Sequence, residues 1–111
     1  MKRFHLALST ADIAATITDY NKRLGFPPCV IIPDEYALWR NGCLNISVRL
    51  DTDCKTGDLR HLGWETPAAH GFTETVDVNG ITWEEFTAEQ QAQEIEAIWP
   101  GTGYRADIQK H

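Results

Sequence analysis

The chain has 111 residues, 42% of them hydrophobic and 23% charged, a composition that predicts one soluble globular domain with one modest core. Ten Lys and Arg against sixteen Asp and Glu give a formal charge of -6. That balance argues against non-specific binding to nucleic acid or to an anionic membrane, because both rely on excess basic charge. No apolar run approaches the ~20 residues of a membrane span. The N-terminus starts basic but offers only Phe4 to Leu8 before polar Ser9 and Thr10, too short for the apolar core of a secretion signal, so the expectation is a cytoplasmic protein.

Residues 3 to 9 alternate, with Phe4, Leu6 and Leu8 on one side and Arg3, His5, Ala7 and Ser9 on the other, as a strand requires. A helix is predicted from about Ala11 to Leu24. Ile13, Ile17, Tyr20 and Leu24 share a stripe, Asp12 suits the N-terminal end, Gly25 suits the stop, and Pro27-Pro28 bar continuation. Three extended segments follow at 29 to 32, 36 to 40 and 43 to 50, with a hairpin signal at Asn41-Gly42. In the last of them Leu44, Ile46, Val48 and Leu50 are expected to face the helix. Asn45, Ser47 and Arg49 then face solvent or a polar pocket.

The polar stretch 51 to 58 reads as a hinge between two halves. Residues 59 to 65 form a strand with His61, Gly63 and Glu65 opposite Leu62 and Trp64. Two further strands, FTETVDV and ITWEEF, meet at Asn79-Gly80. The final helix begins at Thr87, whose partner Gln90 completes a capping-box pattern. Ala88, Ala92, Ile95 and Trp99 form its apolar face and Pro100-Gly101 end it. The tail from Thr102 to His111 is polar and expected to fray, with Tyr104 as a possible anchor. Trp39, Trp64 and Trp83 are expected to pack under the helices. Cys29, Cys43 and Cys54 are odd in number and lack CxxC spacing, which speaks against a disulfide framework or a zinc knuckle. Cys29 and Cys43 read as small core residues and Cys54 as an exposed thiol.

His5, His61 and Glu84 each hold a concave-face position on a short alternating strand. Two imidazoles and a carboxylate brought together make a three-ligand site for a divalent metal with positions left open for substrate. Arg49 is a candidate partner for a substrate carboxylate. Glu65, Tyr36 and His70 are candidates for moving protons, and the sequence does not choose among them.

The stretch HLALSTADIAATITDYNKRLGF, His5 to Phe26, resembles the opening of the vicinal oxygen chelate superfamily, the glyoxalase, bleomycin-resistance and extradiol-dioxygenase relatives. RHLGWE is similar to the start of that family's second module, and DVNGITWEEF to its closing segment. The resemblance implies an α+β fold of paired βαβββ-type modules with a curved mixed sheet. The first module spans 1 to 50 and an abbreviated second one spans 59 to 100, within a single domain of 1 to 111. It puts the family's metal-ligand places on His5, Asn45, His61 and Glu84. Asn45 departs from the usual carboxylate or Gln and is expected to meet substrate instead.

The function implied is a small metal-dependent enzyme of the lyase, isomerase or dioxygenase type. Its ion would be Fe2+, Mn2+, Ni2+ or Zn2+, and its substrate a small molecule with adjacent oxygens. The alternatives are a metal-free protein that sequesters a small molecule, as the bleomycin-resistance relatives do, and an interaction module. With so small a core a homodimer is expected.

Overall fold

The computed structural model of the chain describes residues 1–106. Its elements follow in the order β1 (Arg3–Thr10), α1 (Ile13–Leu24), β2 (Val30–Ile32), β3 (Tyr36–Arg40), β4 (Leu44–Leu50), β5 (Leu59–Glu65), β6 (Thr73–Val76), β7 (Thr82–Phe86) and α2 (Ala88–Ile98). The strands form one mixed sheet in the order β2-β3-β4-β1-β5-β7-β6. The chain is therefore an α+β protein.

Strand β1 lies in the middle, parallel to β4 on one side and antiparallel to β5 on the other. Strand β5 runs parallel to β7, and β6 closes the far edge as the hairpin partner of β7. The register places His5 opposite Asn45 and Gly63, Gly63 opposite Glu84, and Ala7 opposite Ser47 and His61. Because side chains alternate between faces, these residues of four adjacent strands share one face within two rows.

Both helices start and stop where their sequences direct. Asp12 caps α1 by accepting from the Ala15 N–H, and Gly25 ends it in the left-handed conformation at φ 85°. The apolar stripe of α1 lies on Ala37, Trp39 and Val48, and the Trp39 indole donates to Asn21. Helix α2 opens with the reciprocal Thr87–Gln90 capping box and covers the opposite face, where Ile95 packs with Val30, Tyr36 and Leu38. The polar side of β1 is out of water, His5 beneath this helix and Ser9 against the 51–58 loop, while Phe4, Leu6 and Leu8 are only half-buried.

Several sequence expectations are corrected. Trp39 does lie beneath a helix, but Trp64 and Trp83 pack edge-on against Phe4, at 5.4 and 6.3 Å, because no helix follows β5. Cys29 and Cys43 are exposed, since both fall just outside the strands they were expected to join. Residues 51–58 are tied to the end of β1 rather than free to hinge. Ser9 and Gly57 exchange backbone bonds with this loop and strand, and the Ala11 N–H donates to Thr56 Oγ1. Tyr104 does anchor the segment after α2, in the cluster with Val30, Tyr36 and Leu38. The rest of the tail, residues 107–111, lies outside the described residues. Among the described residues, no helix is long and apolar enough to cross a membrane.

Candidate metal centre

His5 Nε2 stands 2.9 Å from His61 Nε2, and His61 Nε2 stands 3.1 Å from Glu84 Oε1. One ligand atom from each of the three residues lies within 4.8 Å of the others. The three positions predicted from strand alternation are thus brought together, and the group could hold a metal ion. Both short separations have the length of hydrogen bonds, so they show that the three groups converge without selecting a coordination geometry.

The orientation of His5 is set from behind. Its Nδ1 lies 3.0 Å from the Asn45 carbonyl oxygen and 2.9 Å from Asn45 Oδ1. Both are acceptors, so Nδ1 carries the proton and the Nε2 lone pair points at His61. Asn45 is fully committed. Its Nδ2 donates to Glu65 Oε1 at 2.8 Å and to Gln91 Oε1 at 2.7 Å, and Oδ1 also accepts from Gln91 Nε2 at 3.1 Å. Glu65 is held in turn by Arg3 at 2.7 Å and by Arg40 at 2.7 and 2.9 Å. A buried chain of polar contacts therefore runs from the arginines to the inner imidazole, the kind of outer shell that orients metal ligands.

The electrostatics favour neutral imidazoles. Burial lowers the pKa of His5, against the raising effect of its bonds to Asn45. Burial, then the neighbouring His5 and Arg60, push His61 down to about 4. Burial also pushes Glu84 up to about 7, helped by the charges of Glu94 and Glu74 and by a hydrogen bond with Glu74. The His61–Glu84 contact is accordingly a hydrogen bond between neutral groups in slightly acidic solution, although its distance alone would pass for an ion pair. Both imidazoles can ligate without losing a proton, and the carboxyl group alone must release one.

The three residues sit in the wall of a cavity of about 240 Å³ beneath α2. Arg49 lines it, with its guanidinium 5.3 Å from the Trp99 ring centre. Tyr36 lines it too, buried, hydrogen-bonded to Ser47 and raised in pKa chiefly by burial. Asn45 has no exposed surface, so it stands behind His5 rather than against a ligand. Glu65 is buried and committed to Arg3 and Arg40. Burial alone would raise its pKa, but the bonds from Arg40 and Asn45 outweigh that and hold it low, which removes it from proton transfer. His70 is exposed and does not line the cavity.

Arg60, Glu74, Gln91 and Glu94 line the site and were not anticipated. Arg60 enters through a β-bulge: Ala7 pairs with His61 and Leu8 with Leu59, leaving Arg60 as the extra residue and turning it into the cavity. No local sequence signal announces that bulge. Gln91 and Glu94 arrive on α2. Gln91 was readable, as a polar residue inside the stripe formed by Ala88, Ala92, Ile95 and Trp99.

No protein-family model matches the chain, and no curated protein matches it. Among solved structures, the chain is similar to one described as the crystal structure of an NAD-dependent benzaldehyde dehydrogenase from Legionella pneumophila. The TM-score is 0.54 at 9% sequence identity, over 76% of this chain and 97% of that one. At that identity the likeness concerns the fold alone.

Proposed function

We propose that the chain is a small metal-dependent enzyme of the lyase, isomerase or dioxygenase type, with His5, His61 and Glu84 as the ligands of a divalent ion. The observation that carries the reading is the convergence of two neutral, inward-facing imidazoles and a carboxylate on one point of a cavity wall. Two imidazoles and one carboxylate suit Fe2+, Mn2+, Ni2+ or Zn2+. Such an ion supplies Lewis acidity, stabilising negative charge as it develops on a substrate oxygen.

The remaining work falls to the chain. Asn45 keeps His5 in the ligating tautomer. Phe86, edge-on to His5 at 4.9 Å, shields that ring. Glu94 and Glu74 are the cavity carboxylates outside the ligand set, and they take the role of proton carriers that Glu65 and His70 cannot fill.

We also read the topology as two modules of the vicinal oxygen chelate type, 1 to 50 and 59 to 100, the second abbreviated. Support comes from the parallel pairing of first with last strand in each half, β1 with β4 and β5 with β7.

Elemental analysis of protein purified without chelator tests the reading. About one equivalent of iron, manganese, nickel or zinc is expected, and His61→Ala is expected to abolish it. Metal-free protein that still binds small molecules in the cavity would replace the enzyme by the sequestering alternative.

A further inference from the structure

The cavity is polarised. Glu84 and Glu74 lie on β7 and β6, toward one edge of the sheet, while Arg49 lies on β4, on the other side of β1. Arg49 is one same-face step beyond Ser47, a rise of about 7 Å along the strand from the row that holds His61. Arg60 reaches the same cavity from β5, two strand spacings or about 10 Å across β1 from β4. Among the described residues neither arginine forms an ion pair, although Arg3, Arg23 and Arg40 all do. In a chain of charge -6, two arginines without an ion pair line one cavity, with Glu84 and Glu94 near them but not in direct contact. Arg49 is also pre-oriented: its guanidinium lies over Trp99, whose ring is tilted against Tyr36 at 4.8 Å and whose indole donates to Glu35.

Between the poles the walls are aromatic and aliphatic. Phe72 stacks on Phe86 at 5.1 Å, and Ile95, Ile98 and Trp99 close the α2 side. Phe72 and Ile98 remain 41% and 38% exposed, an apolar rim in contact with water. At about 30 Å³ per water, the cavity holds roughly eight water molecules, the space of one six-membered ring with its substituents.

We infer that the site takes a small carboxylate with a flat apolar body: the carboxylate on Arg49 and Arg60, the body against Phe72, Phe86 and Trp99, and the far end at His5, His61 and Glu84. A planar guanidinium fork matches a carboxylate through two parallel N–H···O bonds, which a neutral amide cannot reproduce. The inference deepens the metal-centre reading and rests on it for the ligand's far end. The carboxylate pole stands on the two arginines alone.

Phenylacetate and its neutral isostere phenylacetamide serve as the probe pair, titrated by calorimetry into the full chain after removal of metal with EDTA. Phenylacetate is expected to bind at least about tenfold more tightly, a difference that falls to within about twofold in Arg49→Gln and shrinks in Arg60→Gln. Equal affinity for the two probes, or a preference that both variants retain, overturns the inference. Thermal midpoints confirm that the variants fold, and Arg60→Gln, at an exposed position, keeps the test open if Arg49→Gln does not. Because the titration is metal-free, its outcome is independent of whether the purified protein carries an ion. Metal content measured on the same preparation reports separately on the metal-centre reading.

Discussion

At the scale of single residues, the site keeps one carboxyl group neutral where water would ionise it. Glu84, raised to about 7, retains its proton between pH 4.5 and 7, where the unfolded chain has lost it. The native state therefore binds more protons in that window, and this group's contribution to stability falls as pH rises. His61, lowered to about 4, works in the opposite sense: the unfolded state binds the extra proton between about 4 and 6.5, so stability rises with pH there. The two contributions oppose each other up to pH 6.5, and above it only the Glu84 cost remains. Glu84→Gln is thus expected to make the metal-free protein more stable at pH 8, by on the order of 2 kcal/mol in urea unfolding, with the gain gone below pH 4.5. A variant no more stable than the parent at pH 8 contradicts the raised carboxyl. By the same account metal uptake in the parent weakens as pH falls below 7, limited by Glu84 rather than by the imidazoles, which the sequence alone would have made limiting near 6.5.

Asn45 carries a second prediction at this scale. Truncation to Ala leaves Gln91 and Glu65 each short of a buried partner, at a cost of about 2–4 kcal/mol in unfolding free energy. Its backbone carbonyl still holds His5 Nδ1, so the tautomer survives and metal affinity should drop only about tenfold. A loss as complete as that of His61→Ala would mean that Asn45 ligates directly.

At the scale of elements, what the sequence reveals is limited by what alternation encodes. Period-two patterning puts His5, His61 and Glu84 on one face, and the register of β1, β5 and β7 brings them into neighbouring rows. Caps are equally local: Asp12, Gly25 and Thr87 mark helix ends through bonds within a few residues. Alternation says nothing about which face a helix will cover. For that reason the expected apolar inner face of β1 is half-exposed and its polar face buried. Nor can it register a bulge, which is why Arg60 was missed.

Gly63 shows how closely β5 and β7 depend on each other. A Cβ there would overlap the Glu84 carbonyl oxygen, so Gly63→Ala must push β7 away and carry Glu84 with it. The expected result is a loss of about 1–3 kcal/mol together with weakened metal binding. Gly42→Ala, where a Cβ meets nothing within 4 Å, should stay within about 0.5 kcal/mol of the parent. Equal behaviour of the two variants would count against the close β5–β7 approach.

At the scale of the whole molecule, two helices serve the two faces of one sheet differently. Helix α1 seals an ordinary apolar cluster of Ile13, Ala37, Trp39 and Val48. Helix α2 seals only part of its face, packing Ile95 on Tyr36 and Leu38 while Gln91 and Glu94 overhang the gap that becomes the cavity. The absence of a helix between β5 and β6 leaves the Phe4–Trp64–Trp83 side half-covered and gives the second half little packing of its own. Its fit to the first half comes from the β1–β5 pairing and from Glu65, which ties the end of β5 to Arg3 on β1 and Arg40 on β3. The same ties that hold the halves together therefore hold the His5 ring in place.

Crystals soaked in Mn2+ and measured for anomalous scattering give the most direct reading of the centre. The account predicts a single strong peak about 2.0–2.3 Å from His5 Nε2, His61 Nε2 and a Glu84 carboxylate oxygen, with further coordination open to the cavity. A peak elsewhere, or fully ordered side chains with none between them, would contradict it.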